Sequence, residues 1–133
     1  MAKQAVTSTQ LRPPTAPFSS AITIEARGRL VFVSGMVARR ADGTIAGVGD
    51  LAEQTRQVCE NIKSALEAAG GSMADLCRVD NYVRDIEQRE LINHVQRQYF
   101  PDPPPASTLV EVSKLVSPEL LIETSAIAVI PEH

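Results

Sequence analysis

A helical repeat of apolar positions begins just after residue 50. Asp50 and Glu53 have the spacing of a capping box at a helix start. The pair Gly70-Gly71 has the composition of a helix end. The pattern predicts a first helix over residues 51–69. Its inner face recurs at intervals of three and four residues, at Leu51, Thr55, Val58, Ile62, Leu66 and Ala69.

A second, shorter helix is predicted between an N-cap at Asp85 and the helix stop at Pro101. Gln88 follows Asp85 at the capping-box distance. The prolines that come after Pro101 predict a stiff connector rather than a longer helix. The inner side of this helix is predicted to carry Leu91, Ile92, Val95 and Tyr99.

The other apolar runs have the length and composition of β-strands. Arg27-Gly28 predicts a hairpin between the first two strands, although this turn signal is weaker than Asn-Gly. Alternation puts Val79, Asn81 and Val83 on one face of a later strand. The element order is therefore ββαβαββ, an α+β fold with a mixed sheet. The predicted strands cover residues 21–25, 30–33, 76–84, 106–112 and 121–130.

Three of these strands carry apolar residues on both faces, at 30–33, 109–112 and 126–130. Two helices can cover only one face of such a sheet. The opposite face must therefore meet another apolar surface. A second copy of the same chain is the simplest partner.

The length of 133 residues predicts one domain over residues 16–133, preceded by an extended arm over residues 1–15. The net charge is −3, and the longest basic cluster is the pair Arg39-Arg40. This composition argues against a nucleic-acid partner. Neither a span of ~20 apolar residues nor a secretory signal pattern is present, which predicts a cytoplasmic protein without a membrane partner.

Metal and thiol chemistry have little support in the sequence. Cys59 and Cys77 lack metal-ligand spacing, and the histidines are His94 and the terminal His133. We therefore expect no metal site and no cofactor. Both cysteines are predicted to be buried free thiols.

Several segments, taken in order, resemble the RidA/YjgF/UK114 family of small enamine and imine deaminases. The resemblance spans about residues 16–130. It implies a chorismate-mutase-like fold with two helices on one face of the sheet. It also implies a homotrimer in which the sheets form a central barrel, with small-molecule clefts between subunits. The segments are residues 16–20, 33–36, 54–70 with Asn61, 82–85, Asn93, 105–112 and 122–128.

The site is where the sequence departs from the family pattern. The resemblance places a Tyr at Phe18, the substrate-binding Arg at Ser107, a Cys at Leu109 and a Glu at Ser125. The family Asn is retained as Asn93. The chain therefore resembles the subgroup without the substrate-binding Arg. Because a Ser hydroxyl cannot replace a bidentate, charged guanidinium, a neutral or mostly apolar ligand is expected.

The candidate site residues fall into two groups. The expected substrate-binding residues are Phe18, Ser34, Gly35, Asn93, Ser107 and Leu109. The catalytic candidates are Ser125, which can orient a water, and Glu123 or Glu111, either of which could activate it. The alternative, which the sequence favours for each carboxylate, is a solvated or ion-paired group on a strand. Arg39, Arg40 or Arg84 could supply a replacement cation, and surface charge is the alternative for each.

Two functions remain open at this point. The first is a hydrolase of the deaminase type that cleaves an imine or enamine C–N bond in a small catabolic metabolite other than 2-aminoacrylate. The second is a non-catalytic trimer that binds a metabolite in the same cleft. RNA cleavage, an older label of this family, is disfavoured by the acidic net charge.

Overall fold

The computed structural model describes residues 3–25 and 27–132. Within them, a four-stranded mixed sheet is covered by two α-helices, and a two-stranded sheet lies apart from it. This confirms the predicted α+β class. The strands are β1 (Lys3–Val6), β2 (Ala21–Ile24), β3 (Arg29–Met36), β4 (Leu76–Val83), β5 (Ala106–Glu111) and β6 (Ile122–Ile130), and the helices are α1 (Leu51–Ala68) and α2 (Arg89–Tyr99).

The main sheet has the strand order β3-β6-β4-β5. β4 and β5 run parallel, whereas β6 is antiparallel to both β3 and β4. The side chains on the sheet face that meets the helices form the core. They include Val33, Val79, Val83, Ile122 and Ala126, all of which are buried. In this strand order β5 lies at one edge of the sheet, and α2 can form a cleft beside it.

The predicted hairpin between the first two strands is wrong. β2 pairs with β1 through Val6↔Ala21 to Lys3↔Ile24, so part of the expected N-terminal arm is a strand. β3 pairs instead with β6, where Val33 lies opposite Ala126. Arg27-Gly28 is a weak turn signal, and a distant strand offers β3 a better apolar partner.

Helix α1 begins and ends as predicted. The Asp50 side chain accepts a hydrogen bond from the Glu53 backbone N–H at 3.1 Å. Gly70 has φ +92°, a left-handed conformation that suits glycine, and it ends the helix. Leu51, Val58, Ile62 and Leu66 of the predicted face are all buried, so α1 packs on the sheet as the periodicity indicated.

Helix α2 differs from its prediction in start and in inner face. Asp85 caps a short 3₁₀ turn at Ile86–Gln88, and α2 itself begins at Arg89. Within α2 the buried face is formed by Ile92, Asn93, Val95 and Gln96, which recur at intervals of three and four residues. Leu91 lies at the margin of this face and is 39% exposed.

The sheet face opposite the helices is open in the single chain. Phe32 is 72% exposed and Leu30 is 60% exposed on β3, and Val110 on β5 is also exposed. Their neighbours Val31 and Val33 pack against the core. The apolar residues expected on both faces are therefore present, and those on one face lack cover from the residues that the structure describes.

Candidate functional site

A cleft of about 180 Å³ lies between α2 and the edge strand β5. We call it the helix-side cleft. It brings together four of the six predicted binding residues. Its lining is Thr15, Ala16, Pro17, Phe18, Asn81, Arg89, Glu90, Asn93, Gln96, Ser107 and Leu109.

Phe18 reaches this cleft because its neighbour Ser19 is tied to the connector before β5. The Ser19 backbone N–H donates to the Pro105 carbonyl at 3.0 Å, and its Oγ donates to the Pro104 carbonyl at 2.6 Å. Ser19 is buried. These bonds hold the segment before β2 against the start of β5, and they place the Phe18 ring as one wall of the cleft.

Asn81 forms the polar floor of the cleft. Its Nδ2 donates to the Ser107 Oγ at 3.3 Å and to the Thr108 carbonyl at 3.1 Å. Its Oδ1 accepts from Gln96 Nε2 at 2.9 Å and from Thr124 Oγ1 at 2.8 Å. Ser107 is therefore positioned as an acceptor, which leaves its own O–H for a ligand. The sequence signal for this network was a lone Asn between Val79 and Val83.

Helix α2 forms the other wall with one polar stripe. Arg89, Asn93 and Gln96 follow each other at intervals of four and three residues, so they share a face. Asn93 was predicted from the sequence, whereas Arg89 and Glu90, which also line the cleft, were not. The spacing of four residues between Arg89 and Asn93 was the signal that could have found Arg89.

A second pocket, of about 540 Å³, lies on the opposite side of the sheet. We call it the open-face pocket. It contains two of the three predicted catalytic residues, Glu123 and Ser125, together with the predicted binding residue Gly35. Its lining is Gly35, Tyr82, Val112, Lys114, Leu115, Val116, Glu123 and Ser125.

The carboxylate of Glu123 lies directly over Gly35. A Cβ atom built on residue 35 would overlap the Glu123 carboxylate, so a larger residue there would require the Glu123 side chain to move. Across the sheet, Glu123 is the register partner of Tyr82, and Ser125 is the partner of Asp80. Gly35 therefore lets an acidic group rest against the sheet surface.

The helix-side cleft and the open-face pocket lie on opposite faces of the same sheet. Along β6 the side chains alternate: Thr124 is buried against Asn81, whereas Glu123 and Ser125 point the other way. A single chain therefore does not bring Glu123 to Asn93 or Ser107. The two groups can meet only if another chain contributes one of them.

Two predicted residues lie outside both pockets. Ser34 is an exposed residue of β3. Glu111 lies at the end of β5, where its Oε1 accepts a hydrogen bond from the Ile86 backbone N–H at 3.1 Å. Glu111 therefore stabilises the turn before α2, and the structure does not place it beside a ligand.

The three arginines considered as replacement cations do not line the helix-side cleft. Arg39 donates to the Gly43 carbonyl and to Ser117 Oγ, and Arg40 donates to Thr44 Oγ1. Both arginines hold the loop before α1. Arg84 has a buried Nε that lacks a hydrogen-bond partner among the residues that the structure describes.

The cysteines are poor candidates for nucleophiles. Burial raises the pKa of Cys59 to about 12, and it also raises the pKa of the half-buried Cys77. Each thiol is therefore protonated near neutral pH. Over residues 3–25 and 27–132, no group of three or more His, Cys, Asp or Glu side chains could hold a metal ion. No helix of that part is long and apolar enough to cross a membrane.

The fold and the residue pattern match those of known proteins. Residues 9–130 match the family model described as endoribonuclease L-PSP. A RutC family protein of Pyrococcus abyssi is 38% identical over 128 residues, which is 96% of this chain and 98% of that protein. The 3-aminoacrylate deaminase RutC of Acinetobacter baylyi is 37% identical over 128 residues, again 96% of this chain and 98% of that protein.

A solved structure shows the same fold at similar identity. YyfB, a Rid family protein of Yersinia pestis, superposes with a TM-score of 0.82 at 32% identity, covering 98% of this chain and 100% of that chain. The molecule is thus a small α+β protein of the endoribonuclease L-PSP type. More particularly, the chain belongs to the Rid/RutC family.

Proposed function

We propose that this protein is a homotrimeric hydrolase that cleaves the C–N bond of a small imine or enamine metabolite. The observation that carries the proposal is the division of the candidate site. Binding side chains line the helix-side cleft, and the acidic residue Glu123 lies in the open-face pocket. The exposed Phe32 and Leu30 give the same open face a reason to pack against a second copy.

The proposed chemistry uses two chains at each site. Asn93 and Ser107 of one chain bind polar atoms of the substrate, while Phe18 and Leu109 form apolar walls. Glu123 of the neighbouring chain holds a water, with Ser125 beside it. An enamine first tautomerises to its imine, as a proton moves from nitrogen to the neighbouring carbon of the C=C bond. Water then adds to the carbon of the C=N bond as Glu123 accepts a proton from the water. The same carboxyl then protonates the nitrogen, so that the C–N bond breaks and ammonia leaves a carbonyl product.

The proposed substrate has its amino group one carbon further from the carboxylate than 2-aminoacrylate does. A relative with 37% identity is named 3-aminoacrylate deaminase. In this chain residue 107 on β5 is a serine, which carries no charge to pair with the carboxylate of the substrate. Loss of one partner of a buried charge pair costs on the order of 2–5 kcal/mol. Turnover of 2-aminoacrylate should therefore be roughly thirtyfold to several-thousandfold below that of a relative with Arg at this position.

Two assays test the proposal. For 2-aminoacrylate, a serine dehydratase generates the enamine and its imine, and pyruvate formation is followed. For 3-aminoacrylate, the enamine is formed from 3-oxopropanoate and ammonium, and its decay after dilution is followed by absorbance. We expect faster decay of 3-aminoacrylate with the protein present. Equal turnover of 2-aminoacrylate and 3-aminoacrylate would contradict the proposed preference.

Variants of the two carboxylates separate catalysis from stability. Glu123→Gln should abolish the acceleration, whereas Glu111→Gln keeps an oxygen for the Ile86 N–H and should retain it. Mixing refolded Glu123→Gln and Asn93→Ala chains should restore about a quarter of the activity, because one site draws on two neighbouring chains. No recovery on mixing would mean that the site lies within one chain.

A non-catalytic trimer that binds a metabolite is the second candidate. It is favoured by one observation: the helix-side cleft gathers its four binding residues without Glu123. In that case a ligand would bind, Asn93→Ala would weaken binding, and the protein would not accelerate decay of either enamine.

A further inference from the structure

The helix-side cleft contains a cationic side chain, Arg89, although Ser107 occupies the position of the family's substrate-binding arginine. Arg89 lines the cleft from the first turn of α2, four residues before Asn93 on the same helix face. Its Nη1 donates to the Ile86 carbonyl at 3.3 Å, which anchors one side of the guanidinium. No carboxylate lies within salt-bridge distance of Arg89 in the described part of the chain.

We propose that Arg89 binds the carboxylate of the substrate, so that specificity for an acid comes from α2 instead of β5. The inference deepens the proposed function and rests on it for the nature of the reacting group. A guanidinium with one edge anchored keeps the remaining N–H groups for a two-point interaction with a carboxylate. This replaces the expectation of a neutral ligand, which considered only Ser107 and Ser125.

The size and polarity of the cleft agree with a short carboxylic acid. A cavity of about 150 Å³ in another protein holds one benzene molecule. The helix-side cleft, at about 180 Å³, therefore suits a ligand with roughly six to eight non-hydrogen atoms. The charged end of the ligand would meet Arg89 at the exposed mouth of the cleft. The other end would meet Asn93 and the Ser107 hydroxyl on the floor, where Asn81 holds that hydroxyl in place.

Glu90 lines the same cleft and must be included in the charge balance. Its carboxylate repels an anion and attracts the nitrogen end of an enamine or iminium. Removing this charge with Glu90→Gln should tighten the binding of a simple acid. A weaker binding of the acid by Glu90→Gln would contradict the assigned roles.

The test uses crotonate and crotonamide, which match in size and differ in charge. Neither has a C–N bond of the imine or enamine type, so binding is measured without turnover, by ligand-observed NMR titration. Wild type should prefer crotonate. Arg89→Gln should weaken crotonate binding roughly two- to fivefold, as expected for a solvated ion pair, and leave crotonamide unchanged.

Arg97→Gln is the matched control, since Arg97 is an exposed arginine of α2 outside the cleft. It should leave both affinities unchanged, and Arg89→Lys should retain part of the preference for crotonate. The inference is overturned if wild type does not prefer crotonate, if Arg89→Gln weakens both ligands equally, or if Arg97→Gln has the same effect. If wild type does not turn over either enamine but the crotonate titrations give the expected results, only the proposed hydrolase is refuted.

Discussion

At the scale of single residues, the Asn81 network explains how Ser107 could be part of a working site. Asn81 is fully buried and uses its amide to bind four partners. Such a network is costly to disrupt because an unpaired buried amide loses its hydrogen bonds to water as well. The Ser107 hydroxyl is thus held in place on the floor of the cleft, and a change at residue 107 alters the ligand that fits.

Ser107→Arg should exchange one substrate preference for another. A guanidinium on β5 fills part of the cleft and places a charge where 2-aminoacrylate needs one. We expect hydrolysis of the 2-aminoacrylate imine to rise at least about tenfold, since charge-assisted hydrogen bonds contribute about 1.5–3 kcal/mol. Decay of 3-aminoacrylate should slow. The two enamine assays measure both changes.

The gain requires the carboxylate on the neighbouring chain. Ser107→Arg combined with Glu123→Gln should therefore have no activity on either substrate. Ser64→Arg, on the exposed side of α1, is the control for added charge. If activity appeared only after Ser125→Glu was added to Ser107→Arg, the water would depend on residue 125, and the role assigned to Glu123 would be wrong.

At the scale of elements, two side-chain amides of α1, the buried Gln54 and the partly buried Asn61, hold the loops that surround the sheet. Gln54 donates to the Gly47 and Glu119 carbonyls and accepts from the Leu121 backbone N–H at 2.8 Å. Asn61 donates to the Val37 and Arg39 carbonyls, both at 2.9 Å. The loop after β3, and with it the end of the strand that carries Gly35, therefore depends on the position of α1.

The N-cap of α1 should contribute measurably to stability. Asp50→Ala removes the acceptor for the Glu53 backbone N–H, and we expect a loss of about 1 kcal/mol in the free energy of unfolding. Asp50→Asn keeps a side-chain oxygen and should lose much less. Urea unfolding at one fixed protein concentration measures both, because the proposed assembly would make apparent stability depend on concentration. Equal losses for both variants would mean that charge, rather than capping, is the main contribution.

At the scale of the whole molecule, the open sheet face is the dominant unexplained surface of the single chain. Phe32 is 72% exposed, and a large aromatic side chain so exposed on a sheet surface is typical of an interface. The same face carries Glu123 and Ser125 in the open-face pocket. Assembly would thus cover the apolar side chains and complete the proposed site together.

Light scattering should give a mass close to three chains for the wild-type protein. Phe32→Asp should shift the mass toward one chain, because a desolvated carboxylate in the interface is costly. Val48→Asp is the matched control: Val48 is similarly exposed, at 66%, but lies in the loop between β3 and α1. A wild-type mass of one chain would refute the trimer and the two-chain site.

Sequence periodicity alone determined both helices, the four main strands and the existence of an apolar face without cover. These follow from local spacing, as in α1, where five of the six residues of the predicted face are buried. The helix buries Gln54 and Cys59 in addition, which the spacing did not predict. Resemblance to the family added five site positions, and four of them, Phe18, Asn93, Ser107 and Leu109, meet in the helix-side cleft. The fifth, Ser125, lies in the open-face pocket. The sequence could not supply the inner face of α2, because that face buries the polar residues Asn93 and Gln96, which apolar spacing does not select, and leaves Leu91 exposed.

Only the tertiary structure decided which strands pair and which polar groups share a cleft. β3 pairs with β6 across almost the whole chain, and β2 pairs with a strand inside the expected arm. Arg89 and Ser107 line the same cleft although they lie on different elements. Glu123 lies in the open-face pocket, whereas Glu111 binds the Ile86 backbone N–H before α2. The physical reason is that hydrophobic spacing is a local property, whereas strand partners and clefts depend on contacts between segments far apart along the chain.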